Sequence, residues 1–203
     1  MKKILLISIS LFLILISCSQ KTQKKQTEND IDKFLNLFKT LTTDKLTIIS
    51  TEYLTDTTEY EFRGKVIDTS FYKFIKDRYL NLGLNKYGDD RYYACYKRKL
   101  NDSTYMLIMR TPYEYWESSV KLYLFDLNST KTTDYIEAAQ NWGDAGDYLE
   151  KHSILENLNI KTYKETCWVL NEETMESDCT DSIHDYRIKG DKFFLVKKTE
   201  SKK

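Results

Sequence analysis

Proline occurs once in this chain of 203 residues and glycine six times, which does not describe a low-complexity chain. An excess of charge is missing too. The 31 basic and 31 acidic side chains cancel, so no basic face or stripe is expected for nucleic acid. Histidine is scarce. His152 and His184 are the two, without CxxC or HExxH spacing, and no metal site is expected from them. Ser153 follows His152, but neighbours on a strand point to opposite faces, so they do not form a catalytic dyad. There is no GxSxG elbow, and no glycine-rich loop followed by Lys-Ser or Lys-Thr. No repeat is regular enough for a propeller. Catalytic residues, metals and cofactors are therefore not expected, and a binding role is favoured over an enzymatic one.

A long apolar run occurs only at the N-terminus. Lys2 and Lys3 precede Ile4 to Ile16, a stretch interrupted by Ser8 and Ser10. It falls short of the roughly 20 residues of a membrane span and reads as a secretory signal. Leu15-Ile16-Ser17-Cys18 resembles the bacterial lipobox. That resemblance implies cleavage before Cys18 and a diacylglyceryl group on its thiol. Residues 1–17 are then a lipoprotein signal peptide, and 18–27 a lipidated cysteine with a flexible tether. "SQKTQKKQT" has no apolar residue to bury. The expected location is the bacterial cell envelope, with the lipid on Cys18 in the outer membrane and the polypeptide in an extracytoplasmic, oxidising space.

Apolar residues make up 41% of the chain, enough for a core, and Tyr occurs 16 times. Ile31, Phe34, Leu35, Phe38 and Leu41 repeat at helical spacing and predict an amphipathic helix over 28–42. From residue 46 the period changes to two. Tyr60, Phe62, Gly64 and Val66 alternate with charged residues, which reads as a half-buried strand. "DTSFYKFIKDRYL" reads as a short helix starting at Asp68 or Ser70. "RYYACYKRKL" puts Tyr92, Ala94 and Tyr96 on one face. "TYMLIMR" is apolar on both faces, as in a central strand. "SVKLYLFDL" places Val120, Leu122 and Leu124 on one side. Asp126 to Thr130 supplies turn chemistry before "KTTDYIEAA". Further strands are "YLEKHSIL", "TYKETCWVL", "SIHDYRI" and "KFFLVKK", with a tight turn at Gly190-Asp191. The fold class is mainly β (α+β). Over 46–198 an antiparallel meander forms a curved sheet, barrel or sandwich, after the short N-terminal helix.

Several of these stretches share a second likeness. "GKVIDTSFYKFI", "LIMRTPYEYWESSVKLYLFD" and "AAQNWGDAGDY" together resemble a group of uncharacterised lipoproteins of the Bacteroidetes type. The matching positions are Arg110-Thr111-Pro112, Ser118-Ser119, Trp142 to Gly146 and Glu150 to Ser153. The likeness runs over residues 60–198. The chain departs from the group after Ser153, where "ILENLNIKTYKE" lacks an Asp/Asn/Gly-rich turn and any cation site that turn would form. The resemblance implies a location and a fold type, and carries no activity.

"AAQNWGDAGDYLEK" holds two of the six glycines and three nearby acids, Asp144, Asp147 and Glu150. The acids are spaced by three rather than two and fail the EF-hand pattern. Gly143 and Gly146 can take positive φ, and Trp142 supplies an apolar anchor with one donor. A turn or bulge pinned by Trp142 is the expectation. A ligand or cation rim of Trp142, Asp144 and Asp147 is the rival. Tyr113, Tyr115 and Trp116 crowd a link between strands, either as a stacking platform or as the end of the core. Glu172, Glu173, Glu176, Asp178 and Asp181 read as a solvated hairpin loop.

Cys95, Cys167 and Cys179 remain for disulfide chemistry. Pairing "TYKETCWVL" with "CTDSIHDYRI" sets Tyr163 opposite Ile183, Thr166 opposite Thr180 and Trp168 opposite Asp178. That register brings Cys167 to Cys179. A bridge to Cys95, or three thiols, stays open. The expected role is a lipid-anchored envelope domain that binds a protein or a glycan without catalysis. The alternatives are a glycan-binding module using the aromatic loop and, behind it, an envelope hydrolase.

Overall fold

The computed structural model describes residues 28–51, 59–77, 91–112, 118–144, 146–171, 174 and 176–202, without the side chains of Pro112, Ser118 and Asp144. The chain divides into two compact units, Met1–Asn36 and Leu37–Lys203. In the first, residues 28–35 are helical. Ile31, Phe34 and Leu35 are buried, while Asp32 and Lys33 between them are exposed. This helix is shorter than the expected 28–42. Phe38 and Leu41 are buried as the apolar spacing requires, but Lys39–Thr40 is already extended. Apolar spacing records burial, and burial continues past the point where the backbone changes.

Among the described residues, the second unit carries one sheet of eleven strands. These are β1 (Lys39–Thr40), β2 (Lys45–Ile48), β3 (Lys65–Val66), β4 (Tyr93–Lys99), β5 (Thr104–Pro112) and β6 (Ser118–Asp126), followed by β7 (Lys131–Asp144), β8 (Asp147–Glu156), β9 (Asn159–Asn171), β10 (Glu176–Lys189) and β11 (Lys192–Lys202). From β4 to β11 each strand pairs antiparallel with its sequence neighbour, so the meander is there. β1 runs parallel to β4, and β2 lies beside β8. The sheet is therefore mixed, and it is not closed into a barrel. It does bend back on itself. Thr133 Oγ1 donates to the Asp191 carbonyl at 3.0 Å, and the Phe193 amide donates to the Asp134 carboxylate at 2.8 Å. The β10–β11 turn thus meets β7, three strands back.

Short polar residues close the connections. Asp126 accepts from the Ser129 amide at 2.8 Å, and Thr130 takes a φ of 57°. Lys189 pairs with Lys192 across a two-residue turn, where Gly190 has a φ of 64°. Asp68 caps a 3-10 helix over Thr69–Phe74 by accepting from the Ser70 amide at 2.9 Å.

The core sits on β5 and β6, which are buried on both faces. Met106 to Met109 are buried without a break, and so are Ser119 to Phe125. Val120, Leu122 and Leu124 join Met106, Ile108, Leu155 and Ile160 in the main apolar cluster. The other face of β6, with Lys121, Tyr123 and Phe125, is buried as well.

Two expected strands differ. Residues 59–64 are turn and coil, and the extended part is only Lys65–Val66. Gly64 explains the break. Its φ is +68°, and an added Cβ would lie 2.9 Å from the Ala94 carbonyl oxygen. In β4 the alternation fails at Cys95. Ala94 pairs with Met109 and Tyr96 with Ile108, leaving Cys95 as the extra residue of a bulge.

Candidate ligand-binding face

The WGDAGDY stretch is a hairpin turn. Asp144 pairs with Asp147 as the closing pair of β7 and β8, and Gly146 takes a φ of 95°. Gly143 is not at positive φ, contrary to what its place in the motif suggests, and a Cβ there would meet only ordinary contacts at 3.6 and 3.7 Å. Asp147 is committed to the fold: one carboxylate oxygen accepts from the Val169 amide of β9 at 2.6 Å. The side chain of Asp144 lies outside the described residues, as do Cys18, Tyr113, Tyr115, Trp116, Glu172 and Glu173.

Trp142 does more than pin the turn. Side chains alternate along a strand, so residues two apart share a face. Trp142 opposes Leu149, Leu149 opposes Thr166, and Trp168 lies two residues beyond Thr166 on the same face. The Trp142 and Trp168 rings meet at 5.7 Å between centroids, tilted by 51°. Trp142 is half-buried and Trp168 is 49% exposed. The reverse face carries the Cys167–Cys179 disulfide. Its register is the one read from the sequence, with Tyr163 opposite Ile183, Thr166 opposite Thr180 and Trp168 opposite Asp178. Tyr148 lies opposite Cys167 on that side. Of the two rings, Trp168 is thus mounted on a strand bridged behind it, while Trp142 reaches it from β7 across β8. Bridging removes backbone freedom that ligand binding would otherwise have to remove.

Beyond the tryptophans the same face turns polar. Gln140, Lys151, Lys164, Ser182 and Glu200 follow one another across β7 to β11. The next row is Ser153, Thr162, His184 and Lys198. The Ser153 hydroxyl bridges to the Ala138 carbonyl oxygen at 2.6 Å and to Thr162 Oγ1 at 2.8 Å. Glu137 joins from β7, bonded to Lys151 at 2.6 Å and to the Ser119 hydroxyl at 3.0 Å. Burial raises the Glu137 carboxyl most, but Lys151, the Ser119 hydroxyl and Lys121 together outweigh it and leave the group below the usual range. His184 is held down by burial first, then by Lys198. A recess of about 250 Å³ has Gln140, Glu150, Lys151 and His152 on its rim. A second, of about 450 Å³, is lined by Tyr163, Asp185 and Arg187 among others.

Other notable groups lie away from this face, and several are sealed. Asp77 accepts from Lys121 at 3.0 Å and from the Tyr123 hydroxyl, and the Asp77 and Lys121 side chains are almost wholly buried. Burial first, then Asp77, pushes the Tyr123 hydroxyl well above its ordinary range. Cys95 is a free, buried thiol that donates to the Phe62 carbonyl at 3.3 Å. Arg110 lies over the Tyr93 ring at 3.5 Å. His152 stacks on Tyr163 at 5.0 Å, on the face opposite Ser153. Among the described residues, no group of three His, Cys, Asp or Glu side chains is placed to hold a metal ion.

Sequence reading missed Trp168, Lys164 and the lysines beside it. The signal was available for Trp168. The register that joins Cys167 to Cys179 also fixes its face, and the pairing of Trp142 with Leu149 sets Trp142 on the same one. No protein-family model, curated protein or solved structure matches this chain.

Proposed function

We propose that this protein is a non-catalytic binding domain, anchored to the bacterial cell envelope by lipid on Cys18, and that it holds its ligand on the Trp142–Trp168 face. One observation carries the reading. Trp142 of β7 and Trp168 of β9 bring their rings to 5.7 Å on one face, and the strand under Trp168 is bridged to β10 on its reverse side. Indole rings offer a large apolar surface and a donor, which suits a partly polar ligand. The disulfide supports an oxidising compartment, in keeping with the lipobox resemblance at Leu15 to Cys18.

The same observation favours a glycan among possible ligands, since the apolar faces of sugar rings stack on aromatic side chains. The platform is then Trp142 with Trp168. The test is a panel of immobilised envelope polysaccharides, probed with wild-type protein and with Trp168→Ala. Retention of the wild type, loss in the variant and no release of products support the reading. Turnover of any member, or equal retention of the two proteins, counts against it. Anchoring is tested apart: Cys18→Ala should take up no labelled fatty acid, and a wild type that also takes up none removes the lipid anchor.

A further inference from the structure

Three ammonium groups gather on the face that carries the tryptophans. Lys151 lies opposite Lys164, Lys164 opposite Ser182, and Lys198 opposite His184 one row further along. Two of the three are matched by carboxylates. Lys151 meets Glu137 at 2.6 Å, and Lys198 meets Glu200 at 2.5 Å. Lys164 has no carboxylate partner among the described residues. Glu165, next to it in sequence, points to the reverse face. Three positive groups against two negative ones leave a surplus cation at Lys164.

That cation is poorly served where it stands. The Lys164 side chain is half-buried, and burial first, then Lys151, holds its pKa below the ordinary lysine range. Glu137 and Glu200 act the other way without outweighing burial and the two lysines, so an arriving anion still relieves this ammonium. Ser182 adds a hydroxyl donor directly across the ladder. The aromatic platform is close by. Thr166 stands in the Trp142 row, two residues from Lys164. Two residues along a strand span about 7 Å, the scale of one sugar ring.

We propose that this face binds acidic saccharides, with a ring stacked on Trp142 and Trp168 and a sugar carboxylate held by Lys164 beside Ser182, between the flanking Lys151 and Lys198. The inference rests on the stacking reading above and adds the charge of the ligand. Lys151 and Lys198 remain tied to Glu137 and Glu200, so they set the potential while Lys164 makes the contact.

Titration calorimetry on the full, detergent-solubilised protein tests it. The probes are alginate, hyaluronan and galacturonan oligomers, each beside its carboxyl-reduced counterpart. At least one acidic oligomer should bind roughly ten-fold or more tightly than its reduced form. Added salt should erode that preference. Lys164→Gln should bring the two forms together without lowering the melting temperature, and Lys198→Gln should narrow the gap. Trp168→Ala should weaken both forms alike. Equal binding of acidic and reduced oligomers would overturn the anion seat and leave the stacking platform standing. An unchanged preference in Lys164→Gln would overturn the assignment of that residue. Binding of no oligomer in either form would overturn the platform together with the seat.

Discussion

Cys167 of β9 stands directly opposite Cys179 of β10, their Cα atoms 4.1 Å apart and their sulfurs joined. The two are separated by twelve positions in sequence, so the bridge closes a short hairpin. In the chain-entropy picture such a loop stabilises by roughly 2–3 kcal/mol. Reduction, or the paired change Cys167→Ser with Cys179→Ser, should lower the urea midpoint by a corresponding amount. Peptide mapping of the non-reduced protein should find Cys167 joined to Cys179. Coincident unfolding curves with and without reductant would show that the bridge does not brace the hairpin.

Gly146, and not Gly143, should be the intolerant glycine of the β7–β8 hairpin. Gly146 has a φ of 95°, a conformation that resists any side chain, and a β-branched one most. Gly146→Val should cost about 1–2 kcal/mol, while Gly143→Val stays within about 0.5 kcal/mol. Thermal melts of the two variants decide it, and equal losses would contradict the turn geometry. Because Asp147 is tied to the Val169 amide, Asp144→Asn should melt identically with calcium and with chelator.

The buried pair of Asp77 and Lys121 should show strong coupling. Asp77→Ala leaves an ammonium without its carboxylate in a sealed interior, a loss of about 3–5 kcal/mol. Lys121→Met in the same background should recover much of it. A double-mutant cycle by urea unfolding measures the coupling. Additive losses would mean that water reaches the pair.

Cys95 should be protected in the folded protein. Burial pushes its thiol up to about 12 from an ordinary value near 9, against weaker opposing effects of Arg110 and Lys39. The neutral thiol suits the fold, so its contribution is complete below about pH 9 and is lost as pH rises through about 12. Iodoacetamide at pH 8 should leave native Cys95 unmodified and alkylate it in urea. Rapid native alkylation would contradict its burial.

The antiparallel order of the strands was legible because one-sided burial writes a period of two into β8, β9 and β10. The cysteine register was legible for the same reason, since a slip of one residue would turn Tyr163 and Ile183 to the other side. The strand expected at 60–66 was not, because the Gly64 backbone turns under a pattern that still alternates. Nor was the burial of Lys121 visible. A lysine between apolar residues reads as a solvent-facing position until Asp77, 44 residues away, is brought beside it. The lysine row was hidden in the same way. Lys151, Lys164 and Lys198 belong to three strands, and only the completed sheet sets them side by side.

Trp142 and Trp168 are proposed to form a binding platform. Tryptophan emission of the full protein, titrated with solubilised envelope polysaccharide, tests it most directly. A saturable shift in emission is expected in the wild type, together with a loss of at least about ten-fold in affinity in Trp168→Ala. A flat titration across the polysaccharide panel, or the same affinity with and without the Trp168 ring, would contradict it.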